Sequence, residues 1–425
     1  MNKSPDQPYK PTMVYKFGGT SVADASRIRR AAARILSDRH RYRQVVVVSA
    51  MAGETDRLLA LGLQFGAALD TPRQREFDAL VSTGEQVSAA LMAMAFQEAG
   101  VPARSLTAHQ AKVRADSKFQ KARIKSIDCA ELLASLRRGE IAVVTGFQGV
   151  DTEGNIVTLG RGGSDTTAVA FAVALGAKSC EIFTDVEGVF TADPRRVPSA
   201  RKLKTVFFDE MIELASSGSK VLQIRSVELA MKSGMEIHVR SSFVEEEGTR
   251  VITENEDMEA LVVTGLSHDD NQAKVTIIGL KDHPDILAKA LEPLALSNIV
   301  IDLITQNIGL DNKMTVAFTL NDTDLELAKA CLQSNLSCLG SPHVTVEREL
   351  TKVSVVGIGM RTHSGVAQKV FALLSKMGIP IHMALSTEIK VSCLIPMNSR
   401  DTALAVLHKG FNLDNELSSE AGAPL

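Results

Sequence analysis

From Met13 to about Val263, short, wholly apolar, β-branched runs alternate with stretches of helical periodicity. Met13–Phe17, Gln44–Ser49, Ile141–Thr145 and Glu181–Asp185 are runs followed by turn residues, the pattern of strands buried on both faces. Between them, Asp24–Leu36 places Ile28, Ile35 and Leu36 on one side, and Asp78–Ala95 is amphipathic in the same way. Such alternation predicts an α/β fold with a mostly parallel sheet covered by helices. Ligands of these sheets sit beyond the C-terminal ends of the strands.

Beyond about Ser267 an internal repeat replaces this texture. Val275-Thr-Ile-Ile-Gly279 recurs as Val353-Ser-Val-Val-Gly357, each followed by a helix-like run, Asp285–Ala295 and Gly365–Met377. Second strands are expected near Asn298–Ile301 and Gly378–Ile381, third strands at Met314–Leu320 and Glu388–Ile395, and then a second helix in each unit. Each unit reads β-α-β-β-α and needs one more strand to complete a ferredoxin-like βαββαβ sheet. Pro342–Arg348 supplies it for the first unit. For the second the spare strand is Glu259–Thr264, so the two units are expected to interleave.

A chain of 425 residues calls for two or three domains. Hydrophobic residues at 45% and charged residues at 23% belong to a soluble globular protein. A net charge of −3 and the absence of tryptophan argue against a nucleic-acid partner. The five cysteines are scattered without a CxxC pair, as buried thiols of a reducing compartment would be. No apolar run reaches the roughly 18 residues of a membrane span. Residues 1–12 are polar, with three prolines, and read as a loose tail on a cytoplasmic protein.

Two segments carry chemistry. Lys16-Phe-Gly-Gly-Thr-Ser21 and Thr158-Leu-Gly-Arg-Gly-Gly-Ser-Asp-Thr-Thr-Ala168 each pass from an apolar run into glycines and helix-starting hydroxyls. Such turns bring bare N–H groups and a helix N-terminus to a phosphate. Lys16 adds a flexible point charge, and Arg161, flanked by glycines, a planar fork. Asp165 falls in the first turn of the helix expected over Thr166–Leu175, where Ser164 or Thr166 alone would be an N-cap. Two cationic cradles suit a polyanionic substrate and point to phosphoryl transfer, although neither GxxxxGK[ST] nor GxGxxG occurs.

Other segments are weaker. Glu85, in Ser82-Thr-Gly-Glu-Gln-Val, is either a functional acid or compensation of a helix dipole. Thr184-Asp185 leads into Glu187-Gly-Val-Phe190 and Asp193-Pro-Arg195, a strand-end loop able to lodge a base and ribose. Ser217-Gly-Ser-Lys220 offers a further lysine after a turn. No histidine pairs with a serine or cysteine as a nucleophile motif.

Together these segments resemble the aspartokinases. Lys16–Ser21, Ser49-Ala-Met-Ala-Gly-Glu-Thr55, Ser82–Glu85, Gly160–Asp165, Thr184-Asp185 with Thr191–Arg195, and Gly218–Lys220 follow that family's order and spacing, from about Met13 to Ile395. The resemblance implies a three-layer αβα amino-acid-kinase fold followed by two interleaved ferredoxin-like ACT domains. Expected boundaries are a tail at 1–12, a kinase domain at 13–258, one ACT domain at 266–348, and another from 259–265 with 349–425.

The resemblance also implies residue roles. Lys16 and Asp165 would be catalytic; Thr55, Glu85, Arg161 and Ser164 would hold L-aspartate, Glu85 facing its ammonium and Arg161 its α-carboxylate. Lys16, Phe17, Gly18, Gly19, Ser21, Thr184, Asp185, Phe190, Arg195, Lys220 and Val221 would line an ATP site. ATP with Mg²⁺ would then phosphorylate the aspartate side chain, the first step towards lysine, threonine and methionine. ACT domains imply homo-oligomers and feedback by lysine or threonine, with candidate contacts at Asp282, Asp285, Ile286, Leu287, Asp302, Gln306, Pro380 and Ile381.

Three positions depart from the family pattern: Phe190 replaces tyrosine, Asp285 replaces glycine at a helix start, and Pro380 replaces asparagine. Two rivals are a kinase for glutamate or N-acetylglutamate, and an ACT-containing amino-acid sensor without kinase activity. A free amino acid needs an anion such as Glu85 near its ammonium, and an N-acetyl substrate does not.

Overall fold

The valine-rich run Arg43–Val48 is buried along nearly its whole length because both its faces are covered. It sits inside an eight-stranded sheet. From one edge the order is Thr205–Phe207, Thr249–Ile252, Ile237–Ser241, Cys180–Thr184, Thr12–Phe17, Arg43–Val48, Ile141–Thr145 and Ala103–Leu106. Neighbouring strands are parallel except Ile237–Ser241 against Thr249–Ile252. The computed structural model describes residues 10–67, 70–219, 221–254, 262–281, 283–309, 313–335 and 342–415. Lys220, Asp282 and Cys338 lie outside these residues.

Alternation along the strands sorts side chains to opposite faces. Tyr15, Phe17, Val46 and Val48 share one core with Ile28 and Ile35 of the helix Ala25–Leu36 and with Met92 and Phe96 of the helix Thr83–Glu98. Their neighbours Val14, Lys16, Val45 and Val47 face the other way, where the helix Gly163–Ala174 packs on both strands. The result is a layer of helix on each side of the sheet. A smaller four-stranded sheet, Ile124–Ile127, Val113–Ala115, Gln148–Val150 and Ile156–Thr158, lies within the same unit.

The expected helix over Asp78–Ala95 is two helices, Thr71–Val81 and Thr83–Glu98. Asp78 therefore belongs to the first, near its end, and is fully buried. Together the two reach the length and mean hydropathy of a membrane span without being a continuous apolar run, and 56% of their most apolar window is buried inside the protein. A core helix meets that test equally well.

The chain divides into two compact units, and not at a single cut near 258. Thr191–Arg201 and Ser216–Ser219 join the unit that contains Ala260–Leu425, while the flanking segments stay with the first. In the second unit a six-stranded antiparallel sheet has the order Ile304–Ile308, Lys313–Asn321, Gly265–Lys281, His343–Val356, Lys390–Pro396 and Met383–Ser386. The two long central strands pair with each other from Gly265↔Val356 to Ile278↔His343.

One half of each long strand completes each ferredoxin-like unit. Gln272–Lys281 pairs with Lys313–Asn321, and Leu350–Val356 pairs with Lys390–Pro396. The interleaving is as expected and both units share one sheet, but the spare strand is the start of Gly265–Lys281; of the expected Glu259–Thr264, residues 259–261 lie outside the described residues and 262–264 precede the strand. Asn298–Ile301 and Gly378–Ile381 are not strands either. Asn298 and Gly378 have φ of 57° and 68°, left-handed positions that close the preceding helices; the strands start later, at Ile304 and Met383.

Candidate active site

Lys16 is the penultimate residue of Thr12–Phe17 and points to the face covered by Gly163–Ala174, whose first turn holds Asp165. Strand and helix thereby bring Lys16 Nζ to 2.5 Å from Asp165 Oδ1, with both residues buried. After Lys16 the chain leaves the strand through Gly18, whose N–H donates to the Phe183 carbonyl at 3.2 Å. At Gly19 an added Cβ would lie 2.8 Å from the Ala50 carbonyl oxygen, so only glycine lets the two loops meet here.

The second cradle is held from outside. Arg225 donates to the carbonyl of Leu159 at 2.5 Å and to that of Ala122 at 2.9 Å, fixing the chain just before Gly160-Arg161. Gly162 has φ 68°, and a Cβ there would lie 1.7 Å from Gln223 Cγ. The helix begins at Gly163, earlier than expected, so Ser164 and Asp165 both occupy its first turn. The Thr166 hydroxyl donates back to the Gly162 carbonyl at 3.3 Å, a local backbone role.

Lys16, Gly19, Thr55, Glu85, Arg161, Ser164 and Asp165 all line one cleft of about 1020 Å³. Thr55 lies in the first turn of the helix Glu54–Leu63. Glu85 opens Thr83–Glu98 and accepts from the Ala50 N–H at 3.0 Å through Oε1, while its buried Oε2 has no partner. Burial pushes its carboxyl up to about 7, although the Ala50 N–H opposes the shift. A buried anion of this kind awaits a cation.

Residue families of this type, in this order, match known proteins. The profile described as amino acid kinase family covers residues 11–241, and an ACT domain profile covers 353–411. An aspartate kinase of Pseudomonas putida is 46% identical over 404 residues, which is 95% of this chain and 98% of that protein. The chain belongs to the aspartokinase group of the amino acid kinase family. Among solved structures, E. coli aspartokinase III in complex with aspartate and ADP (R-state) superposes with a TM-score of 0.77 at 30% identity, covering 94% of this chain and 99% of that one. The same enzyme in complex with lysine and aspartate (T-state) gives 0.76 at 29%, with the same coverage.

Within this aspartokinase-family chain the expected nucleotide residues divide. Phe17 is fully buried and stacks on Phe183 at 4.8 Å, so its side chain serves the core. Ser21 Oγ is paired with Ser242 Oγ at 2.5 Å. Thr184 and Asp185 end the strand beside Lys16 but do not line the cleft, and neither do Phe190 and Val221. Arg195 falls in the second unit, its side chain 88% exposed and bonded to Asp193.

Of the expected effector contacts, Ile286 is buried and Leu287 partly buried in one core cluster. Asp285 ion-pairs with Lys289 at 2.5 Å and with His283. Asp302 ion-pairs with the buried Lys352. Gln306 and Pro380 are exposed, and Ile381 is half-buried.

Asp78 went unread in the sequence and is the site's main internal support. Its Oδ2 accepts from Thr158 N at 2.7 Å and Gln120 N at 2.9 Å, and its Oδ1 from Thr158 Oγ1 at 2.8 Å. Burial raises its carboxyl above the usual range, and these three donors pull the other way. It clamps the strand that feeds Gly160-Arg161. The only signal in the sequence was an aspartate on a helix between Phe77 and Val81.

Proposed function

We infer that this protein is an ATP-dependent aspartate kinase that converts the side-chain carboxylate of L-aspartate to an acyl phosphate. The observation that carries this is one cleft lined by Lys16, Arg161 and Glu85, with Lys16 locked to Asp165. Its volume accommodates an amino acid together with a nucleotide's phosphates.

The acceptor carboxylate is ionised at neutral pH, so no base is required. One of its oxygens bonds to the γ-phosphorus while the bond from that phosphorus to the ADP oxygen breaks, and ADP leaves with the electron pair. Lys16 offsets the charge on the moving phosphoryl oxygens, and Asp165 holds the ammonium in place. Arg161 takes the α-carboxylate in a planar fork. Glu85 takes the ammonium, which stabilises its ionised form. Catalysis is alignment and charge neutralisation.

Among the described residues no group of three or more acidic, histidine or cysteine side chains fits a metal ion. Beside nucleotide phosphates Mg²⁺ usually needs only one or two protein carboxylates, and it enters the proposal as the counter-ion of ATP.

We assign the adenosine end of ATP to the strand end at Thr184-Asp185 with Phe190 and Val221, beside the glycine cradle. The second unit is assigned to feedback by an amino acid, with lysine first in view of the lysine complex of E. coli aspartokinase III. Homo-oligomers are assigned to the same unit. Its edge strand Ile304–Ile308 exposes Ile304 and Ile308, with Leu296 and Val300 also exposed, and unpaired apolar edges of this kind recruit a second copy.

The test is aspartate-dependent release of ADP, repeated with glutamate and titrated with lysine and threonine. Turnover with aspartate is expected. No turnover with aspartate, alongside turnover with glutamate, would remove the substrate assignment. No turnover with either would favour the sensor reading.

A further inference from the structure

A second cavity, of about 240 Å³, lies under the helix Ala25–Leu36, on the face of the sheet opposite to Lys16. Two guanidiniums stand over the Phe183 ring there, Arg34 at 5.2 Å and Arg240 at 5.6 Å from its centroid. Burial, with Arg240 beside it, holds the Arg34 guanidinium below its ordinary range. Arg240 has one anionic partner, Glu181, whose Oε2 accepts at 3.2 Å.

The remaining donors are unmet. Arg34 Nε and Nη2, Arg240 Nε and the Tyr15 hydroxyl are shielded from solvent and have no hydrogen-bond partner. Buried donors left unpaired are costly, and apolar side chains of similar size would serve the fold better. Tyr15 is itself 1% exposed; burial raises its phenol far above the usual range and the Gln44 side chain beside it pulls the other way, so the hydroxyl keeps its proton.

The acidic groups lining the cavity complete its chemistry. Asp38 is 3.5 Å from Arg41, and Glu245 is exposed at the mouth. With Glu181 matched to Arg240 and Asp38 to Arg41, Arg34 is left facing Glu245 at the rim, close enough to feel its charge. One half-buried cation and one outer anion complement a carboxylate and an ammonium on the same small molecule.

We propose that this cavity is a second small-molecule site, separate from the catalytic cleft, that binds an amino-acid zwitterion. The carboxylate is received by Arg34, Arg240 and Tyr15, and the ammonium faces Glu245. The volume admits an amino acid and excludes a nucleotide. Phe183 stacks on Phe17, and the Phe183 carbonyl accepts from the Gly18 N–H, so occupancy bears directly on the glycine cradle.

Thermal melts of the full chain with L-alanine as probe test this. A rise in melting temperature of several degrees is expected for the wild type and no rise for R34M, whose ligand-free melting temperature stays at or above that of the wild type. An amino acid held elsewhere shifts both proteins alike. No response in the wild type, or equal responses in the two, would overturn the proposal. If R34M does not fold, Y15F, which removes only the hydroxyl, carries the same comparison, with a reduced shift expected and an unchanged one overturning it. The melt reads binding alone, so its failure leaves the kinase assignment untouched.

Discussion

Lys16 and Asp165 come from segments far apart in the chain, yet their charged atoms meet at 2.5 Å inside one cleft. A buried ion pair of this kind is weak evidence of stabilisation and good evidence of a required geometry. Replacing Lys16 with alanine should lower kcat by roughly 10²–10³-fold, as for loss of one preorganised charge. D165N, which keeps the shape and removes the anion, should also lower kcat while leaving the aspartate KM nearly unchanged. Full activity in either variant, read by ADP release, would remove these residues from the catalytic role.

Glu85 ties activity and stability to pH in opposite senses. Its folded-state value of about 7 lies above the ordinary 4.5, so between these values the folded protein keeps a proton that the unfolded chain has released. Stability from this group is complete below that window and declines as pH rises through it. Binding of the substrate ammonium needs the ionised form, so kcat/KM should rise across the same range. In E85Q the acid limb of the kcat/KM profile should disappear, the aspartate KM should increase, and denaturant midpoints should lose this pH dependence. An unchanged acid limb would show that another group sets it.

Asp78 meets three donors, two from Thr158 at a strand end and one from the Gln120 turn, so its removal leaves all of them buried. D78A should destabilise the protein by about 3 kcal/mol and should also raise the aspartate KM, because the chain leading to Gly160-Arg161 loses its anchor. Urea unfolding and initial rates measure the two effects separately. A loss of stability with an unchanged KM would confine Asp78 to the fold.

Gly162 is constrained twice, by φ 68° and by Gln223. G162A should reduce activity by at least about tenfold, since a misplaced Arg161 weakens a transition-state contact. Adding Q223A removes the collision but not the backbone strain, so it should restore part of the loss. The two changes should be non-additive in a double-mutant cycle; additive effects would mean that the collision does not shape the cleft.

Much of this was readable because it is written in short range. Apolar runs ending in glycines are strands that open into loops, and Lys16, Arg161 and Asp165 stand out because glycines strip their surroundings bare. Repetition of Val-x-Ile/Val-Ile/Val-Gly made the paired ferredoxin-like units visible. Asp78 was not legible, since an aspartate in an amphipathic helix looks the same whether it faces solvent or three buried donors. Arg34 and Tyr15 look like ordinary helix and strand residues for the same reason.

What the chain alone determined, then, is the alternation of elements, the two glycine cradles with their charges, and the need for one strand borrowed between the repeats. These depend on residue type and on neighbours a few positions away. Only the folded structure decided that the borrowed strand begins at Gly265 within one continuous sheet, that Thr191–Arg201 belongs with the second unit, and that two arginines share the Phe183 ring. Those outcomes depend on which distant surfaces exclude water together, and burial of that kind leaves no local mark in the sequence.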